Sequence, residues 1–210
     1  MNFIFLHLIA LLSGFSLMGY EILGSRILAP YFGGSVYVWG AIISVFMLGL
    51  SIGYPIGGVM ADKRGRVSDI AWILLCTIIF IFAVSFIGKI ICYNLSSMNM
   101  DIRYSVLLAS MCLFLFPCIC LGLISPYLVK LTINKQNKIG RRVGSVYCAS
   151  TIGSIIGTLF VSFYLITLVG TSSGIRILCI PLLLAAIISL LCIGYIFSKR
   201  GGYAAKRMNK

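Results

Sequence analysis

Acidic side chains are nearly missing from this chain. Glu21, Asp62, Asp69 and Asp101 are the only four in 210 residues, and charged residues of both signs make up 10%. A soluble domain carries about a quarter charged residues, so the composition excludes that class. Histidine occurs once, as His7, and none of the eight cysteines stands in a CxxC pair. A zinc or haem site would have too few ligands to draw on. Most of the cysteines lie in apolar stretches, where cysteine behaves as a small hydrophobe. No acid–base pair and no activated nucleophile is grouped along the chain. The sequence therefore predicts no catalytic residues, no metal site and no cofactor, and the protein is not expected to be an enzyme.

Long apolar runs are what the chain has instead: 60% of it is hydrophobic. A bilayer-crossing helix needs about 20 apolar residues. Such runs recur at 3–22, 36–60, 70–92, 104–130, 145–168 and 175–197. The reading is an all-α membrane protein with six transmembrane helices. The first run has no basic n-region and no small-residue cleavage site, so it is kept as a helix and not taken for a signal peptide. Residues 1–198 form one six-helix domain, and 199–210 form a basic, flexible, surface-associated tail.

The basic residues alternate from one connection to the next. Lys63, Arg64 and Arg66 follow run two; Lys130, Lys135, Lys138, Arg141 and Arg142 follow run four; Lys199, Arg200, Lys206, Arg207 and Lys210 follow run six. The other connections hold only Arg26, Lys89, Arg103 and Arg176. Basic loops stay cytoplasmic, which puts both termini in the cytoplasm and, if the cell is bacterial, the protein in its inner membrane. The net charge of +13 reads as this topology signal and as attraction to anionic headgroups. It is spread over three loops without a binding fold, so nucleic acid is not an expected partner. The lipid bilayer is.

Glycine spacing adds detail. Gly49, Gly53 and Gly57 recur every four residues in run two, as do Gly153 and Gly157 in run five. Such rows let helix backbones approach closely, and Pro55 within the first row suggests a kink. The tetrapeptide GSVY occurs at 34–37 and again at 144–147, preceded by APY at 29–31 and SPY at 125–127. Runs one to three and four to six then read as two related units. An odd number of helices gives the units opposite orientations, a 3+3 inverted repeat of the kind that builds each half of a facilitator.

Between runs two and three stands GGVMADKRGRVSD, residues 57–69. Its core, Gly58-x-x-x-Asp62-Lys63-x-Gly65-Arg66, resembles the loop motif of the major facilitator superfamily. Val67 stands where that motif has a further basic residue. In this pattern Gly58 allows close helix approach, Asp62 pairs with a basic residue or a helix N-terminus, and Gly65 permits a tight turn. The segments at 19–40 (GYEILGSRILAPYFGGSVYVWG), 125–131 (SPYLVKL), 140–147 (GRRVGSVY) and 150–158 (STIGSIIGT) are similar to the membrane portion of fused facilitator/spermidine-synthase-like proteins. The likeness covers nearly all of residues 10–170. In that family a membrane module is joined to a cytoplasmic aminopropyltransferase-like domain. Here the sequence stops after the sixth run with no glycine-rich nucleotide-binding loop of that type, so the aminopropyl-transfer activity is not carried over.

Glu21 and Arg26 are the substrate-binding candidates. An ionised group within a membrane helix costs about 2.5–3.5 kcal/mol on insertion scales and marks function by default. Glu21 is the one acid inside a run, and a polyamine is a polycation. With run one ending at Ile22, Glu21 falls near the outer interface, and a direct pair with Arg26 would require a helix break at Gly24 or Pro30. The alternative is that both residues fix a surface loop at 24–35 (GSRILAPYFGGS). Tyr31, Tyr37 and Trp39 read as interface anchors. Two functions stay open. One is a transport-type half-facilitator for a polyamine or other small solute, acting as a homodimer. The other is a non-transporting module that docks a separately encoded soluble spermidine-synthase-like enzyme on its basic cytoplasmic face.

Overall fold

The structure is a computed structural model that describes residues 3–133 and 139–208, with side chains at 4–133 and 139–192. Lys135, Lys138 and the side chains of the basic tail lie outside the described residues. Every regular element among the described residues is helical: α1 (Phe3–Phe32), α2 (Val36–Lys63), α3 (Val67–Ser96), α4 (Ile102–Thr132), α5 (Ile139–Phe160) and α6 (Ile166–Met208), with a π-helical turn at Val161–Leu165 between the last two. Five helical stretches are long and apolar enough to cross a membrane, the last running from Ile139 to Cys192.

That last stretch spans 54 residues, which as a straight helix would reach about 81 Å. It does not run straight. Gly170 has φ 73° and ψ 174°, a conformation that glycine reaches without a Cβ clash. Beyond it the chain turns back, so Gly174 comes against Leu165 of the π turn and Leu23 of α1. Ser189 then donates to the Val67 carbonyl at the start of α3 (2.8 Å).

The helices are longer than the apolar runs suggest, and α1 most of all. The predicted surface loop at 24–35 is instead helix as far as Phe32. Gly33, at φ +75°, ends α1 and donates its N–H to the Ala29 carbonyl at 2.9 Å. This is a left-handed glycine closing a helix. Neither Gly24 nor Pro30 interrupts α1, and Pro55 lies inside an unbroken α2. The glycine and proline signals at 24 and 30 give way because the apolar pattern continues across them.

Two helix pairs make the closest contacts, and each pair runs parallel. Along α2 and α4, Gly49 faces Cys118, Gly53 faces Ile119 and Gly122, and Gly57 faces Leu123 and Pro126. Along α1 and α5, Leu11 meets Gly153, Gly14 meets Ser150, Phe15 meets Gly157 and Gly19 meets Val161. A Cβ at Gly57 would stand 2.6 Å from the Leu123 carbonyl oxygen, so only glycine fits without displacing backbone. The adjacent Gly58 contrasts with this. A Cβ there meets nothing within 4 Å, which corrects the expectation that Gly58 provides close approach; Gly57, one residue earlier, does so. Further packing joins α3 to α6, α1 to α6, α3 to α4 and α1 to α4.

Tyr20, Phe46 and Phe114 bring α1, α2 and α4 together, with ring centroids 5.4–5.7 Å apart. The Tyr20 hydroxyl is buried among them and donates to the Leu113 carbonyl at 3.2 Å. Trp72, Ile79, Phe86, Ile90, Phe163 and Leu191 instead point outward, the distribution expected where the surrounding solvent is hydrocarbon.

The glycine rows generate a paired prediction. Gly53→Ala should destabilise the protein by about 1–3 kcal/mol through overpacking. Gly58→Ala should be neutral or stabilising by up to about 1 kcal/mol, the helix-propensity difference. Thermal unfolding in detergent, followed by a thiol-reactive dye, measures both. Equal losses at the two positions would contradict the assigned contacts.

Candidate functional site

The parallel packing of α2 against α4 carries their last turns to the same end of the bundle. There the charged connection at 57–69 is latched to α4. Asp62, in the last turn of α2, accepts from Lys130 Nζ at 2.6 Å. Asp69, in the first turn of α3, accepts from the Tyr127 hydroxyl at 2.5 Å. Tyr127 and Lys130 are three apart and so share one face of α4. Gly65 makes the reversal between α2 and α3 at φ +54°, and Lys63 at the end of α2 has favourable sign for the helix dipole. Lys63, Arg64 and Arg66 are exposed. The same end is closed on its other side. Arg142 donates to the Thr132 carbonyl (2.8 Å), Ser145 Oγ donates to the Arg142 carbonyl (2.8 Å), and His7 Nε2 lies 3.0 Å from Ser145 Oγ.

Tyr127, Asp69, His7 and Ser145 were not singled out from the sequence. The available signal was the i, i+3 spacing of Tyr127 and Lys130, matched by acids on both sides of the 63–66 turn. Which helix those acids meet depends on α2 and α4 being parallel neighbours, and nothing local in the sequence encodes that.

Glu21 and Arg26 are not brought together. They lie on one unbroken helix, five residues apart, about 140° around its axis. The longer α1 also moves Glu21. The midpoint of Phe3–Phe32 lies between Leu17 and Met18, so Glu21 is about 5 Å from the helix centre. The expectation of an outer-interface position took the helix to end at Ile22, whereas α1 continues to Phe32. Glu21 is half-buried, within electrostatic reach of Cys118 on α4. It has no ion-pair or hydrogen-bond partner among the described residues. On a helical wheel it falls between the α1 stripe that meets α5 (Leu11, Phe15) and the one that meets α4 (Tyr20, Gly24). On the wheel this direction points toward the gap between α2 and α5, which make no close backbone contact with each other.

Arg26 belongs to a different place. It lines a cavity of about 400 Å³ with Lys89 of α3, Tyr31 of α1, and Thr171 and Ser172 just after the Gly170 break. The described residues contain no group of three metal-ligating side chains, and the described cysteines are free thiols.

The two latches should differ in strength. Tyr127 is buried and Asp69 half-buried, whereas the Asp62 and Lys130 side chains are 67% and 55% exposed. Tyr127→Phe leaves a carboxylate short of a donor and should cost about 1–3 kcal/mol. Asp62→Asn removes an exposed ion pair and should cost under about 1 kcal/mol. A double-mutant cycle on thermal stability should show that Asp69→Asn adds little once Tyr127→Phe is present; full additivity would rule out the bond.

Compared with known proteins, the chain matches no family model, and neither a curated protein nor a solved structure is similar to it. The facilitator-like spacing at 58–66 therefore stands as a likeness of motif.

Proposed function

We propose that the chain is a six-span membrane module of the half-facilitator type, built as a 3+3 inverted repeat, that carries a small cationic solute. The observation that carries the repeat is the symmetry of its packing. Exchange α1 with α4, α2 with α5 and α3 with α6. The close pair α1–α5 then becomes α4–α2, α1–α6 becomes α4–α3 and α1–α2 becomes α4–α5, α3–α6 and α1–α4 map onto themselves, and α1–α3 alone has no counterpart. Both close pairs are parallel and both meet through glycines. On this reading the reversal at Gly170 separates spans five and six. The end that bears Lys63, Arg64, Arg66, Lys130, Arg141 and Arg142 faces the cytoplasm, and both termini lie there.

The transport part of the reading rests on Glu21. A carboxylate near the centre of a membrane helix, without a protein partner and facing an open side, is a site for a cation. A polyamine is the first solute to try, in view of the resemblance to spermidine-synthase-like fusions. A second copy of the chain would close the open side and complete a pathway. The docking alternative draws support from the exposed Lys63, Arg64, Arg66 and Arg141, which suit an acidic surface on a soluble partner.

Purified protein in proteoliposomes, assayed for uptake of labelled spermidine and putrescine, separates the readings. Wild type should take up the cation. Glu21→Gln should reduce uptake at least tenfold, and Glu21→Asp should keep part of it. Full uptake by a correctly inserted Glu21→Gln protein removes Glu21 from the mechanism. Absence of cation flux in wild type, together with a stoichiometric soluble protein in gentle purifications, moves the docking role to first place.

A further inference from the structure

The cavity at the Arg26 end is built differently from the rest of the bundle. Two cationic side chains, Arg26 from α1 and Lys89 from α3, line the same space of about 400 Å³. That volume lies within the range of small-molecule sites. Both side chains are exposed, and two cations on one cavity attract an anion that enters the space between them. No protein group takes that role here. Four basic residues sit at this end of the bundle, and two of them are engaged. Arg103 pairs with Asp101 and donates to the Tyr37 hydroxyl, and Arg176 donates to Ser173 Oγ. Arg26 and Lys89, which have no hydrogen-bond or ion-pair partner among the described residues, are the two that line the cavity.

The remaining lining suits an anion with an apolar attachment. Tyr31, Thr171 and Ser172 add hydroxyls, and Ile27, Val84 and Ile175 add aliphatic surface. Thr171 and Ser172 open the helical run that restarts after Gly170. The first N–H groups of a helix lack partners one turn back and carry partial positive charge. The cavity also stands at a defined depth. Tyr37, Trp39, Tyr93 and Tyr104 are all exposed around this end, and exposed tyrosine and tryptophan collect at the headgroup level of a bilayer.

From this arrangement we propose that the Arg26–Lys89 cavity is a phosphate-binding site that holds the headgroup phosphate of an anionic phospholipid. Arg26 can present two N–H donors to the phosphate oxygens, with Lys89 as the second charge. The aliphatic wall would receive the glycerol end of the lipid. This site is separate from Glu21, which faces another side of α1, and it does not depend on the transport reading.

The test uses the full chain, purified in a neutral detergent. Native mass spectrometry after incubation with equimolar phosphatidylglycerol and phosphatidylcholine reads lipid retention, and titration calorimetry with inorganic phosphate alone reads the free anion. Wild type should retain phosphatidylglycerol preferentially. Arg26→Gln combined with Lys89→Gln should weaken retention at least tenfold, the loss expected for charged hydrogen bonds. Arg103→Gln should leave it unchanged. The conservative pair Arg26→Lys with Lys89→Arg should restore most of the binding, which shows that any loss is one of charge and not of folding. Phosphate binding abolished by the double glutamine variant, without lipid preference, would keep the phosphate site and overturn the lipid as its occupant. No preference and no phosphate binding, or a preference untouched by the double variant, would overturn the site.

Discussion

Hydrocarbon surrounds this bundle as well as filling it, so no gain in apolar burial draws one helix to another. What remains is close packing, and close packing of backbones needs residues without side chains in the way. Gly49, Gly53 and Gly57 on α2, and Gly14, Gly153 and Gly157 across α1 and α5, meet that need. At several of these positions even a methyl group would strike the neighbouring backbone. These contacts also fix register. Two parallel pairs locked along several turns bring their charged ends to common levels, and the contacts of Asp62 with Lys130 and of Asp69 with Tyr127 follow from that alignment.

The placement of charge shows the consequence. At the Lys130 end, each acid of the connection between α2 and α3 meets a donor on α4, so a short turn rich in cations is held down at both of its edges. Asp101 caps α4 at the other end by accepting from the Arg103 backbone N–H. Three of the four acids are therefore spent at helix ends, where water and headgroups reduce the expense of ionisation. The fourth, Glu21, is not. An isolated carboxylate in that position serves no latch and no cap among the described residues.

The sequence made the class of protein legible because membrane solvation is a composition rule: long apolar runs with charges at their ends leave few alternatives. Glycine rows were legible for a related reason, since four-residue spacing puts every member on one helix face. Which helix each row meets was not, because Gly53 carries no mark of Gly122. Helix ends were misjudged where local signals compete with extended pattern. Pro30 and Gly24 suggested a loop, yet the apolar residues continue and carry the helix nearly three turns past Ile22, to Phe32. The break between runs five and six, by contrast, was legible: the runs stop at 168 and restart at 175, and Gly170 breaks the helix within that interval. The misjudged end of α1 matters for function, because it sets where along the helix Glu21 lies.

Helix α1 thus carries two departures from membrane composition, Glu21 and Arg26, and keeps them apart. They are five residues and about 7.5 Å of rise from each other on an unbroken helix, turned to different sides. Had the helix ended at Ile22, the two could have folded onto each other and neutralised, and neither would call for a ligand. Rigidity removes that solution. On the proposed reading each charge takes its counterion from outside α1: the acid from the side between α2 and α5, the cation from the cavity it shares with a second cation. A continuous helix is, on that reading, the reason that both positions are open to binding.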